Sequence, residues 1–345
     1  LFHERGWTDG LPIVPPTASA VTRMLRGTDL KSDHVIGSVP PGRANLTVEK
    51  LAINAVMAGC VPDYLPILLA ASAAVLRPEF NLYGVQATTN PATPLLIVNG
   101  PIAREIGLNG KGNVLGPGFR ANSAIGRALR LVLRNVGGGI PHETDKATQG
   151  QPGKAGMCIA ENEDESPWPP LHVEQGLAPE VSAVSALAVT GTFNLLDFAS
   201  ETARGVLGTF ARTIATPGMQ NAQLGGGPIV CLGPEHAARI ASEGFSKEDV
   251  KRWLYEHARV PLAAYSAETV RAVLRRRRFR WVLSDDPAST VPVADDWHEF
   301  TLLVAGGPGS HSVLMPTFMA TKPITVPIVD AAGQPLHSVK DVVRA

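Results

Sequence analysis

The densest group of residues able to do chemistry is Glu161-Asn162-Glu163-Asp164-Glu165-Ser166-Pro167-Trp168, followed by His172 and Glu174. Carboxylates beside a Trp and a His offer groups in both protonation states and a plane that dries a pocket, which acid–base catalysis or a metal site requires. Glu161 and Glu163 are the candidate pair, because their spacing puts both on one side of an extended chain. A solvated acidic loop fits the same residues. Upstream, Thr148-Gln149-Gly150-Gln151-Pro152-Gly153-Lys154 offers flexible backbone N–H groups and one cation to a carboxylate or phosphate, without the spacing of a P-loop. A second anion candidate runs from Gly112 to Gly118 and on to Arg120, Asn122 and Ser123 at a helix start. A plain turn and cap explains Asn122 and Ser123 equally well.

Cys60 stands between two predicted helices in Ala58-Gly59-Cys60-Val61-Pro62, where a helix N-terminus would lower its pKa and make it a nucleophile or redox group. A buried structural thiol is the alternative. Cys231 lies in an apolar strand and reads as core, and Cys158, three residues before Glu161, is intermediate. His236 and His311 each follow a Gly-Pro turn and are candidates for acid–base work if those turns converge. No His-Glu-x-x-His or facial-triad spacing supports a metal, no dinucleotide fingerprint occurs, and Ser310 and Ser312 lack a Gly-x-Ser-x-Gly elbow. No metal or other cofactor is therefore assigned.

These side chains need elements to hold them. Thr47 caps a predicted helix that stops near Gly59, a second helix covers residues 62–76, and a third covers 121–136 before Gly137-Gly138-Gly139. Leu95-Leu96-Ile97-Val98 reads as the first strand, apolar enough to be buried on both faces. Strand, Gly-Pro and following segment recur at 95–101, 229–234 and 301–308. Gly permits the sharp turn and Pro presets the first helical residue. The expected fold is α/β, with duplicated βα units and parallel or mixed sheets flanked by helices. Ligands of such units bind at the carboxyl ends of the strands, so the three turns are expected to line one crevice, with Asn99 in the first of them.

The expected division is a Pro-rich arm over 1–46, a first α/β unit over 47–140, a functional connecting loop over 141–180 and a second unit with a partial third repeat over 181–345. The 345 residues are 44% hydrophobic and 18% charged, with 34 Gly and 29 Pro, which suits a turn-rich globular chain and excludes disorder. Thirty-one basic and thirty-one acidic residues balance to zero, so no field draws nucleic acid or an anionic membrane. The Arg275 to Arg278 run reads as a solvated helix end or a contact in a homo-oligomer. The longest uncharged stretch, 213–234, is broken by Gly and Pro and suits no membrane span. Three scattered cysteines form no disulfide framework, which favours a reducing, cytoplasmic setting. The sequence opens at Leu1 without a Met, leaving an upstream targeting segment open.

Several stretches together resemble a known group. Gly6-Trp7-Thr8-Asp9-Gly10-Leu11-Pro12-Ile13-Val14-Pro15-Pro16-Thr17, Ala58-Gly59-Cys60, Val98-Asn99-Gly100-Pro101, Ile125-Gly126-Arg127-Ala128-Leu129-Arg130, Glu161-Asn162-Glu163 with Ser166-Pro167-Trp168, and Gly233-Pro234-Glu235-His236-Ala237 are similar to a bacterial family. Its members are encoded with, or fused to, small UGSC-type proteins bearing a Sec/Cys-Gly-Ser-Cys motif. The motif itself is absent from this sequence. The resemblance implies thiol or selenol redox chemistry nearby.

The leading expectation is a thiol-linked oxidoreductase acting on a small polar or anionic substrate with a small redox partner. Cys60 would be the thiol, Glu161 or Glu163 the acid–base group, and Asn99, Arg120, Asn122, Lys154 and Trp168 the substrate-binding residues. The alternatives are a hydrolase or lyase using Glu161, Glu163 and His236 or His311, with a metal as a disfavoured option for that site, and a non-enzymatic scaffold for a redox protein.

Overall fold

A computed structural model describes residues 1–276, 286, 288–319 and 321–342. The first seventeen residues form turns and an extended, proline-rich arm until Thr17 caps α1 (Ala18–Met24), so the arm is shorter than the 1–46 span assigned to it from sequence. An antiparallel hairpin follows, β1 (Val35–Val39) and β2 (Ala44–Thr47), which no sequence signal announced. Thr47 then accepts a hydrogen bond from Lys50 N–H and opens α2 (Val48–Ala58), which stops at Gly59. A 3-10 turn leads into α3 (Leu65–Val75), buried on nearly every side, and α4 (Leu82–Ala87) follows. Strand β3 (Thr93–Asn99) is wholly buried and passes through Gly100 into α5 (Pro101–Glu105). Helix α6 (Arg120–Asn135), strand β4 (Met157–Ala160), the single turn α7 (Leu171–Glu174) and β5 (Ala183–Val189) come next.

The remaining elements are β6 (Phe193–Leu196), α8 (Ala203–Ile214), α9 (Gln220–Leu224), β7 (Ile229–Leu232), α10 (Pro234–Ser242), α11 (Lys247–His257), β8 (Arg259–Pro261), α12 (Ala267–Ala272), β9 (Thr290–Pro292), β10 (Thr301–Val304), β11 (His311–Met315) and β12 (Ile324–Pro327). The chain is α/β with mixed sheets, and it forms two compact units. Unit one takes Leu1–Glu161, Leu171–Ala188 and the segment from Lys322; unit two takes Asn162–Pro170 and Val189–Thr321. The expected boundaries followed the sequence, whereas the compact units interleave it.

In unit one the strand order is β12-β5-β3-β4, with β4 parallel to β3 and β12 antiparallel to β5. Leu51, Leu65, Ile67, Leu95, Ile97, Ile125 and Leu129 are almost fully buried in its core. Helix α6 lies so close to β4 that a Cβ on Gly126 would sit 2.8 Å from the backbone N of Met157. In unit two the order is β10-β7-β11-β6, with β10 parallel to β7 and β11 antiparallel to both its neighbours. Leu207 and Phe210 of α8, Val250 and Leu254 of α11, and Leu302 of β10 share its core. Strands β8 and β9 form a separate antiparallel pair.

One expectation changes here. The span 141–180 is not purely connection, because Met157–Ala160 is a core strand too short and too unperiodic to show in sequence. The Arg275 to Arg278 run reaches beyond the described residues at 277. Among the described residues no single helix is long and apolar enough to cross a membrane.

Candidate functional site

Strands β3 and β4 run parallel, so their carboxyl ends lie side by side: Val98 is opposite Ala160, and each is followed by a polar residue, Asn99 and Glu161. Asn99 is fully buried and Glu161 is 5% exposed. Asn99 Nδ2 donates to Glu161 Oε2 at 2.8 Å, and the backbone N–H of Leu171, at the start of α7, donates to the same oxygen at 2.7 Å. Both donors reach the same carboxylate oxygen, which fixes the orientation of the Glu161 carboxyl. His172, the next residue of α7, is wholly buried; its Nε2 lies 3.4 Å from the Pro179 carbonyl and its Nδ1 has no hydrogen-bond partner among the described residues.

A second layer fixes the backbone beneath Glu161. Asn122 grips Asn109 twice, its Oδ1 accepting from Asn109 N–H and its Nδ2 donating to Asn109 O, each at 2.8 Å. Asn109 O in turn accepts from Ala160 N–H at 3.1 Å. The neighbouring Gly110 presses onto the strand end, where a Cβ would stand 2.7 Å from Ala160 O. Of the residues expected from sequence, Asn99, Asn122 and Glu161 are thus brought together, with Asn122 positioning rather than touching a ligand. Leu171 N–H and Asn109 were missed, because backbone donors and a single Asn carry no pattern in sequence.

Lys154 belongs elsewhere. It precedes β4 whereas Glu161 follows it, and four strand residues at about 3.3 Å each separate the two ends. Lys154 pairs with Asp145 at 2.7 Å, and burial pulls its pKa down against that carboxylate. Nearby, Arg130 Nη2 donates to Thr93 Oγ1 at 2.9 Å, at the amino end of β3. Burial lowers the Arg130 pKa as well, opposed by Asp145 and Asp9. Lys154, expected to bind the substrate that Glu161 acts on, therefore lies at the opposite end of β4 from it.

The thiols do not match the expectation of an activated nucleophile. Cys60 is 8% exposed and donates to the Ala124 carbonyl at 3.4 Å. Burial pushes its pKa up to about 12, with Arg120 pulling weakly the other way. The helix-terminus argument fails because the chain goes from Cys60 into a 3-10 turn, and desolvation outweighs any dipole. Cys158 is pushed up by burial too, and Cys231 is core. Arg120 itself is exposed and caps α2, its Nε and Nη2 donating to Gly59 O at 3.1 and 2.9 Å.

The other candidates lie in unit two. The chain passes from unit one to unit two between Glu161 and Asn162, so Glu163, half-buried in a 3-10 turn, is not built into the same body as Glu161. Trp168 is a core residue whose Nε1 donates to Phe245 O at 2.8 Å. His236 is 2% exposed, with Nδ1 2.8 Å from Ser312 Oγ, Nε2 2.7 Å from Asp197 O, and its ring edge-on to Phe210. His311 is exposed and lies 3.1 Å from Asn194 Oδ1. Since His236 meets Ser312 and neighbouring strand residues point to opposite faces, the two imidazoles do not converge. The second and third Gly-Pro turns do lie together, at the ends of the parallel strands β7 and β10.

No group of three or more His, Cys, Asp or Glu among the described residues is arranged to hold a metal. Comparisons of the chain with protein-family models, curated proteins and solved structures return no match.

Proposed function

We propose that the protein is an enzyme of the hydrolase or lyase class acting on a small polar substrate, with Glu161 as its acid–base group. The observation that carries this reading is the buried Glu161 carboxylate at the carboxyl ends of two parallel strands, bound by Asn99 and Leu171 N–H. That end of a parallel pair is where α/β folds place their chemistry. Glu161 serves as a base toward a substrate C–H or an attacking water, and as an acid on the return step. Asn99 fixes its orientation.

The test is a panel of p-nitrophenyl esters and short hydroxy and keto acids in D2O, followed by absorbance and by deuterium incorporation in NMR. Turnover of one class should fall by about 10²–10⁴-fold in Glu161→Gln, the usual worth of a general base, with unchanged melting. Equal turnover in the variant, or none in the native protein across the panel, overturns the reading.

Three finer points belong to the same proposal. The two four-stranded sheets are copies of one unit: β4-β3-β5-β12 and β10-β7-β11-β6 share a parallel outer pair and an antiparallel last pair. A serine supports the first and second Gly-Pro turns, Ser182 Oγ accepting from Ile102 N–H and Ser312 Oγ from Gly233 N–H, both at 3.0 Å. The resemblance to the UGSC-associated family adds a small thiol or selenol protein as partner, which would bring the redox group that the buried Cys60 does not offer. Free cysteines throughout favour a cytoplasmic setting.

A further inference from the structure

Unit one contains a cavity of about 370 Å³, not lined by Glu161, between the N-terminal arm and helices α2 and α6. Phe2, Trp7, Ile53, Met57 and Ile140 give it apolar walls, and Asn54, Arg134 and Asn135 are its polar members. Its size is at the small end of the range of roughly 300–1,000 Å³ for ligand sites.

The polar members are not equivalent. Asn135 Nδ2 donates to Trp7 O at 3.2 Å and to Asn54 Oδ1 at 2.8 Å, while Asn54 Nδ2 donates to Lys50 O at 2.9 Å. Those amides are occupied in holding the arm and α2 to α6. Arg134 is different. Among the described residues its Nη2 reaches only the Gly6 carbonyl, at 3.2 Å, and its Nε is buried with no hydrogen-bond partner. Among the described residues no carboxylate pairs with it. Arg127, two turns earlier on the same helix, has Asp9 as a bidentate partner, so the fold supplies a counter-ion to one arginine and withholds it from the other. A second cation, Arg5, lies 5.0 Å from the centre of the Trp7 ring.

A half-buried guanidinium without a counter-ion is costly unless an anion meets it, and its planar fork matches a carboxylate. We infer that this cavity binds an amphiphilic monocarboxylate, its carboxylate on Arg134 and its alkyl or aromatic body against Trp7, Ile53 and Met57. A polyanion such as a nucleotide suits the site poorly, because the walls are apolar and one guanidinium faces them. The inference is independent of the Glu161 reading.

The test uses the full chain, with calorimetry and tryptophan fluorescence. Probes are octanoate, octan-1-ol and octylamine, which share a body, and acetate, which shares only the head group. Octanoate should saturate and perturb Trp7 emission, octanol should bind at least about tenfold more weakly for want of the charge-assisted hydrogen bond, and acetate and octylamine should not bind. Arg134→Gln should weaken octanoate at least about tenfold and leave octanol unchanged; Arg134→Lys, which keeps the charge and loses the fork, should fall between. Met57→Trp, which fills the cavity, should abolish both, and Glu161→Gln should change neither. Equal affinity for octanoate and octanol, no effect of either arginine variant, binding that survives Met57→Trp, or no saturable binding at all overturns the inference.

Discussion

Arg127 grips Asp9 with two parallel hydrogen bonds, Nε to Oδ2 at 2.9 Å and Nη2 to Oδ1 at 2.8 Å, with side chains only 17% and 10% exposed. The pair joins residues far apart in sequence and clamps the arm onto α6. Asp9 also accepts from Leu11 N–H, Thr8 bridges to Leu11 O, and Arg127 Nη2 reaches Leu11 O, so the turn before the prolines is fixed by one ion pair.

Burial alone would raise the Asp9 pKa, but the hydrogen bond and charge of Arg127 outweigh it and hold the carboxyl below its ordinary value of 3.8. A carboxylate depressed by folding stabilises the protein above its unfolded pKa and loses that contribution as pH falls through the folded one. Asp9→Asn should therefore cost about 2 kcal/mol at neutral pH, and the cost should shrink below about pH 4. Urea unfolding at several pH values, with Trp7 emission reporting the arm, checks both; an equal cost at pH 7 and pH 3 would count against the ion pair.

Cys60 should resist iodoacetamide in the native protein at pH 8 and react once urea unfolds it, because its pKa is pushed up to about 12 by burial. A raised acid pKa stabilises the fold below the unfolded value and loses that contribution as pH climbs toward the folded one. Native stability should decline between about pH 9 and about pH 12, and Cys60→Ala should flatten part of that decline. Peptide mass spectrometry of alkylated protein gives the first result and denaturation curves the second. Rapid native labelling of Cys60 would restore the thiol reading.

Gly126→Ala should destabilise although alanine is the better helix former by about 1 kcal/mol. The added methyl meets Met157 N at 2.8 Å and Gly156 C at 3.0 Å, backbone atoms of the approach to β4 that cannot turn aside. Overpacking of this kind costs about 1–3 kcal/mol, read as a lower urea midpoint with an unchanged slope. A midpoint at or above the native one would show that β4 can retreat.

His236→Ala and His311→Ala should separate a core histidine from a surface one. The first removes both hydrogen bonds and the edge contact with Phe210 and leaves Ser312 short of a partner, at a cost of about 2–4 kcal/mol. The second removes an exposed side chain and should stay within about 0.5 kcal/mol. Thermal melts of the two variants decide it, and similar losses would mean that the His311 contact with Asn194 has been undervalued.

Local signals carried much of the fold into the sequence. Thr47 and Gly59 bounded α2, Gly137-Gly138-Gly139 marked the end of α6, and the unbroken apolar run 95–98 marked a strand buried on both faces. Each signal depends on neighbours within one or two turns, which is the range over which caps and periodicity act. Strand β4 escaped because four residues show no period, and the β1–β2 hairpin because its register is set by pairing rather than by a turn signature.

Residue types alone nominated Glu161, Asn99 and Asn122, since polar groups at strand ends and helix starts are where a chain can afford chemistry. What those residues touch was settled by packing: which strand lies beside which, where β4 divides Lys154 from Glu161, and how deeply Cys60 is desolvated. Those are relations between segments distant in the chain. They arise from the shared burial of apolar faces, so Arg127 finds Asp9 and Arg134 finds no carboxylate among the described residues although both stand on one helix with the same side chain.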